Sequence, residues 1–468
     1  MAAMFRTKPT DATPGAPPTE NELRFGEVRA RDGNGWRIHL GAAMFYCFFL
    51  GWPTTFLEWA PIPLLVVWLV RVPRSHRVFF ALVREPVVWL TLAFAAWQAL
   101  SFIWTPDRAH GVKDFGQFRW ALVLGTLWPV LDGRRWLIGA VAAGFVVGQC
   151  SQGLHLVGSV FEIESLTWSR PENRNSGWWD PAVAGTLLVG VVGLHLGGLA
   201  SLEQPRARRL STALAVVAGT GLAATGTRGA WLAAAVLVLL VAARVLVGRF
   251  RRARESAATT GGRARGPSLG ALIGVSSVLV ATAGVAWLTL GEGARARIAA
   301  GVGEVRGAIE RGDFSTDTGA RVIMLRWAVD GALEHPVRGL GVGGFNSYCK
   351  QRVAELDLRR EAALAGGDPA DRDIRPPRLH RHAHNQMLHT LCAQGVPGGV
   401  LLLLLALELA RGGLRPRAPF EHTGPGWALV GLMLVSLFDS VLLNQQTAAL
   451  WWTLAALSLG SRPREGVG

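Results

Sequence analysis

Cysteine is scarce and scattered, with only Cys47, Cys150, Cys349 and Cys392 in 468 residues. Their spacing excludes both a disulfide framework and a thiolate metal motif. The first 36 residues are polar, rich in Pro and Gly, and lack the apolar core of a secretory leader, so they read as a disordered cytosolic tail that is not removed. No internal repeat at a fixed period is present, which sets aside the solenoid architectures. Lysine is rare beside arginine, as GC-rich coding alone would produce. Acidic residues are outnumbered, 33 against 48 Lys and Arg, leaving a net charge of +15. In a soluble protein that surplus would suggest nucleic acid. Here the basic residues fall between long apolar blocks, where they set topology and meet anionic lipid, so no nucleic acid partner is expected.

What the chain does have is hydrophobic sequence: 50% of its residues are apolar, in blocks long enough to cross a hydrocarbon layer of roughly 30 Å. The reading is an all-α polytopic membrane protein with about twelve transmembrane helices. They fall near 38–52, 55–71, 86–104, 116–131, 136–160, 182–201, 210–226, 231–247, 269–290, 387–410, 427–443 and 446–460. The basic clusters RVPRSHR at 71–77, DGRR at 132–135, RARR at 206–209, GRFRRAR at 248–254, RGGLRPR at 411–417 and SRPRE at 461–465 follow alternate spans. By the positive-inside rule both termini are then cytosolic. The organisation is a tail at 1–36, nine helices over 37–290, one large external loop at 291–386, three helices over 387–460 and a tail at 461–468.

Inside the external loop, Thr316, Asp317 and Thr318 cap a helix running to Glu334, whose Val322, Leu325, Val329 and Leu333 recur at helical spacing. His335-Pro336 ends it, and the Gly-rich RGLGVGGFNSY is expected as a loop. A second helix is expected near 351–365. A turn-rich GGDPADRDIRPPRL then leads to RLHRHAHNQMLH, where His380, His382 and His384 alternate and Asn385 is placed to cap the next span.

His384 therefore sits just outside a helix N-terminus, beside positive charge that favours the neutral imidazole and leaves it able to accept a proton. In an extended segment the three histidines would face one way, as a metal site requires, but no acidic or Cys ligand lies at a useful spacing and Arg381 interrupts them, so no metal is assigned. His389, one turn into the helix, is expected to make a hydrogen bond. Gly395 and Gly398 share a face and let a neighbouring backbone approach. Arg228, in the minimal turn TGTRGAW, and Arg321, in the first turn of the loop helix, are arginines placed to meet an anion, for which the planar guanidinium suits phosphate oxygens. The loop FEIESLTWSRPENRNSGWWDP adds Arg170, Arg174 and Asn175, with Trp178 and Trp179 as interfacial anchors. Asp439, in SLFDSVLLN, is a carboxylate in an apolar span that needs a partner or water: it either holds a histidine or arginine in place or lies near the membrane edge.

Taken in order, TRGAW at 227–231, GAR at 319–321, the Gly-rich run after His335-Pro336, HNxxL at 384–388 with nine residues to Gly395 and two more to Gly398, and SLFDS resemble the landmarks of the O-antigen ligase family. The resemblance covers most of the chain beyond residue 180 and is weak before it. Thr227 stands where relatives often have Ser. The resemblance implies a GT-C-like fold in the bacterial inner membrane with its active site facing the periplasm. It also implies transfer of polysaccharide from undecaprenyl pyrophosphate to the lipid A core oligosaccharide, with inversion and with no cofactor. It casts His384 as the catalytic base and Arg228 and Arg321 as pyrophosphate ligands, with Asn385, His382, Arg174, Asp439, Gly395 and Gly398 in support. O-antigen polymerases and protein O-oligosaccharyltransferases share this layout and donor. A lipid-linked sugar transporter is the alternative from another class, but its polar groups would gather near the midplane rather than at the external mouth.

Overall fold

The computed structural model describes residues 20–166, 174–202, 204–260, 296, 298–368, 371–413 and 420–459. Every regular element among them is a helix: α1 (Glu20–Arg31), α2 (Gly33–Phe49), α3 (Thr54–Trp59), α4 (Pro61–Leu82), α5 (Pro86–Leu100), α6 (Arg108–Gly116), α7 (Val123–Leu127), α8 (Arg134–Val160), α9 (Pro181–Ser201), α10 (Pro205–Ala224) and α11 (Arg228–Thr260). After these come α12 (298–311), α13 (Asp317–Glu334), α14 (Gly344–Leu364), α15 (Gln386–Gly413), α16 (Phe420–Val435) and α17 (Gln445–Ser458). Among the described residues six stretches are long and apolar enough to cross a membrane: Thr54–Leu82, Pro86–Ile103, Arg108–Ser159, Pro181–Leu199, Arg228–Gly248 and Gln386–Arg411. The described residues are thus all-helical in their regular structure, and the chain is a polytopic membrane protein. Leu69, Trp89, Leu239 and Leu407 are exposed on these stretches, as lipid-facing side chains should be.

Helices lie at eleven of the twelve expected positions, while the one expected at 269–290 falls outside the described residues. Their lengths differ from expectation. α16 and α17 have 16 and 14 residues, short of a full crossing, and α2, with 17, is at the lower limit. The stretch expected at 116–131 is broken into α6, α7 and intervening 3₁₀ turns.

α9 is the central element, buried along nearly its whole length and packed by α10, α11 and α16. Gly193 and Gly197 bring its backbone against Trp427, Ala428 and Gly424 of α16, where any side chain would collide. The expected anchor Trp179 is instead an interior residue, 1% exposed and 6.2 Å from the Phe145 ring. Trp178 packs on Trp52.

The N-terminal region departs from the expected disordered tail. Within it Glu20–Arg31 forms α1, whose Phe25 and Val28 are buried, and α2 begins at Gly33. The 71–77 cluster is also not a loop, because α4 continues through it. Arg71 is buried there, with Nε donating to Asp32 Oδ2 at 2.9 Å and Nη1 lying 2.8 Å from His39 Nδ1. The carboxylate and imidazole compensate the desolvation of the guanidinium. Nearby, Trp36 donates to Asp132 at 2.8 Å. Arg134 donates to Leu459 O at 2.6 Å, and Arg135 pairs with Glu421. Basic residues expected at one face of the membrane thus meet acidic and carbonyl partners from distant helices.

At the other end, α13, α14 and the start of α15 share a small core of Ile323, Met324, Trp327, Phe345, Cys349 and Cys392. The apolar stripe Val322, Leu325, Val329 and Leu333 lies beside this seam, with Val329 and Leu333 40% and 74% exposed. The seam is one residue over because α13 packs on α15 and α14 from that side. α15 is interrupted at Gly395, whose φ of 67° and ψ of −172° suit glycine alone. The break frees carbonyls, and the Gly-rich loop supplies their donors: Leu340 N to Cys392 O at 2.9 Å and Gly341 N to Ala393 O at 2.8 Å. Trp97 Nε1 adds a bond to Gln394 O at 2.8 Å. Gly395 thus serves a backbone junction, in addition to the close approach expected of it.

Candidate functional site

Arg228 is placed by the turn before α11. Gly226 takes a positive φ of 66°, and Thr227 Oγ1 donates to Pro181 O at 2.8 Å, fastening the turn to the start of α9. From there Arg228 Nη2 reaches Thr318 Oγ1 at 3.0 Å. Thr318 lies in the first turn of α13, capped by Thr316 Oγ1 accepting from Gly319 N at 3.0 Å. Glu304 of α12 stands at the same place: its carboxylate accepts from Thr318 N at 3.3 Å and lies 3.9 Å from Arg228 Nη2. A carboxylate already sits where helix amides and a guanidinium would receive a phosphate oxygen.

Arg321 follows one turn later. Burial pushes its guanidinium below the usual arginine range; Asp439 and Asp317 oppose that shift, and Arg228 and Arg174 add to it. Arg174 is brought in by its neighbour Asn175, whose N donates to Ala224 O at 2.9 Å and whose Nδ2 donates to Gln152 O at 2.8 Å. One cavity of about 1000 Å³ is lined by Arg174, Arg228 and Arg321, by Thr318, and by Ile298 and Val302 of α12. Arg306, Glu310 and Asp317 line it too, so four arginines converge on one space that also holds two carboxylates. Arg170 lies outside the described residues.

The histidines gather beside Arg321. Asn385 caps α15, its Oδ1 accepting from Leu388 N at 2.9 Å and its Nδ2 donating to Leu437 O at 3.1 Å. Gln386 N donates to Ser436 O at 2.8 Å, so the helix start is tied to the segment that follows α16. Just outside the cap, His384 adopts a left-handed φ of 53°, unusual for a residue with a side chain. Its ring centroid lies 4.5 Å from that of His382 and 4.9 Å from that of His380. His384 is 8% exposed, and neither of its ring nitrogens has a hydrogen-bond partner among the described residues. Burial, then His382, Arg321 and His380, push its pKa down to about 2, so the imidazole is neutral. His382 and His380 are lowered for the same leading reason, burial.

Asp439 completes the group. The expected span containing it is not helical there: α16 ends at Val435 and the chain turns until Asn444 caps α17. That turn brings Asp439 Oδ1 to 4.0 Å from His384 Nδ1. It also supplies the acid that local spacing could not, since ligand atoms of His382, His384 and Asp439 all lie within 4.8 Å of one another. Gly398 packs against Gln394 and Trp97, a positioning role. His389 differs from expectation, because its Nδ1 has no hydrogen-bond partner among the described residues; the residue lines a small cavity together with Gln394 and Asp114.

Glu304 had no motif to announce it. Thr318 was visible only as part of a capping run, with no sign that it would contact Arg228.

Residues 213–403 match the model of a family described as O-antigen ligase. No curated protein matches the chain significantly. The matched segment contains Arg228, Arg321, His382, His384, Asn385, Gly395 and Gly398, and leaves Arg174 and Asp439 outside. Over residues 213–403 the chain is thus similar to the O-antigen ligase family.

Proposed function

We propose that the protein transfers a polysaccharide from undecaprenyl pyrophosphate to a sugar hydroxyl of the lipid A core oligosaccharide, as a GT-C-like O-antigen ligase at the periplasmic face of the inner membrane. The observation that carries this reading is the single cavity holding Arg174, Arg228 and Arg321, with a buried, neutral His384 beside Arg321. The arginines and the first turn of α13 receive the diphosphate. Its negative charge offsets Arg321, which depresses His384 less than burial and His382 do, and so raises the basicity of the imidazole when substrate is bound.

The acceptor hydroxyl oxygen attacks the anomeric carbon as its proton passes to His384. The bond from that carbon to the pyrophosphate oxygen breaks, and the electron pair leaves with lipid pyrophosphate. Attack opposite the leaving group inverts the anomeric centre. Arg228 and Arg321 stabilise the charge that develops on the departing oxygen, so the leaving group is met by side chains and needs no divalent cation. Asp439, 4.0 Å from His384 Nδ1, steadies the imidazolium once formed.

Purified enzyme supplied with lipid-linked glycan and, separately, lipid A core, a second lipid-linked glycan, or a Ser/Thr peptide tests the acceptor. Product on lipid A core alone is expected. Product on either other acceptor instead would make the protein a polymerase or a protein glycosyltransferase.

A further inference from the structure

Two imidazoles and one carboxylate with converging donor atoms form an arrangement that transition metals seek. His382, His384 and Asp439 offer one ligand atom each within 4.8 Å of one another. Tetrahedral zinc holds donors at roughly 2.0–2.2 Å, which sets them a little over 3 Å apart. Side-chain rotation of about an ångström therefore closes the set around an ion. The ring nitrogens are available for it: both nitrogens of His384 and Nδ1 of His382 are buried without hydrogen-bond partners among the described residues. Buried polar atoms left unpaired cost stability, and an ion would satisfy them. The burial that holds both imidazoles neutral also keeps them in the form that coordinates a metal.

We infer that His382, His384 and Asp439 form an inhibitory binding site for zinc and related divalent transition metals. Two neutral histidines and a carboxylate suit Zn²⁺, Co²⁺ or Ni²⁺ far better than Mg²⁺ or Ca²⁺, which favour oxygen donors. The protein supplies three ligands, and water takes the fourth position. Arg321, which lies close enough to act on both histidines and on Asp439, opposes the cation and keeps the site reversible. Inhibition rests on the proposed role of His384, because coordination occupies the lone pair that would accept the acceptor's proton. Binding itself does not depend on that role.

The test is titration of the purified full-length protein in detergent with Co²⁺, read by its visible absorption, followed by displacement with Zn²⁺. Wild type is expected to take up one equivalent with an intense four-coordinate band. His382→Ala and Asp439→Asn should each weaken binding by on the order of 10–100-fold or more, while the circular dichroism spectrum stays unchanged. His380→Ala should bind like wild type. Absence of saturable binding, or binding indifferent to both substitutions, would overturn the site and leave the proposed transfer reaction intact. Zn²⁺ at saturation should stop transfer, and chelator should restore it. Full activity with the site loaded would refute the inhibitory role and count against His384 as the base. Activity lost in chelator and regained with metal would show the ion to be catalytic rather than inhibitory.

Discussion

At the scale of single residues, the proposed chemistry divides between a proton acceptor and a set of anion ligands that can be removed separately. His384→Ala deletes a buried imidazole that makes no hydrogen bond among the described residues, so it should insert and accumulate as wild type does. Transfer should fall by on the order of 10²–10⁴-fold with donor affinity little changed. Near-normal turnover of this variant would remove His384 from the mechanism. Arg228→Lys and Arg321→Lys keep the charge but lose the planar fork, and each should lower kcat by roughly 10²-fold while also weakening the lipid pyrophosphate. Calorimetry with the diphosphate donor separates the two effects, and wild-type binding by a lysine variant would reduce that arginine to an interfacial anchor. These residues were legible in the sequence because charge is costly in a turn at the membrane edge and because HNxxL opens a helix. Asp439 was noticed but not placed beside His384, since 55 positions separate the two and only the turn after α16 joins them.

At the scale of elements, α12 is the least expected part of the site. Its Glu304 accepts from Thr318 N at 3.3 Å and faces Arg228, a place where the donor's phosphate would compete with it. Glu304→Gln removes the competing charge, so donor binding should tighten about two- to fivefold, the worth of a partly exposed ion contact. Unchanged or weaker donor binding in that variant would show that Glu304 does not contest the phosphate site. Sequence pattern locates α13 from its capping residues and marks one apolar stripe, while the stripe packed by protein is another. Val322, Leu325, Val329 and Leu333 are apolar at helical spacing, as are Met324, Trp327 and Ala328. Only the packing of α13 on α14 and α15 decides between them. The reading of α15 had the opposite outcome: its start at Gln386 was clear from Asn385, while the break at Gly395 depends on a distant loop whose amides replace the helix's own.

At the scale of the whole molecule, the apolar blocks located helices well and their lengths less well. Hydropathy records where a helix is buried, not whether neighbouring helices or lipid cover it. α11 and α17 are both apolar, yet the Arg228–Gly248 stretch of α11 is only 33% buried, while α17 has 14 residues and is buried throughout by protein. We propose, from the alternation of basic clusters, that one end of the bundle faces the cytosol and the site lies at the other. With Cys150, the exposed cysteine, replaced by Ser, Glu361→Cys should react with a membrane-impermeant maleimide from the periplasmic side. His76→Cys should react only after the inner membrane is opened. The reverse pattern would invert the topology and put the arginine cavity out of reach of periplasmic acceptors.

The central claim is that protein groups alone activate a lipid-linked diphosphate donor. Its most direct test is reconstitution of the purified protein in excess chelator, without nucleotide, with undecaprenyl pyrophosphate-linked glycan and lipid A core oligosaccharide. The expected result is glycan joined to the core with inverted anomeric configuration, formed by wild type and absent with His384→Ala. Product that forms only on addition of Mg²⁺ or Zn²⁺, or with retained configuration, would contradict the account.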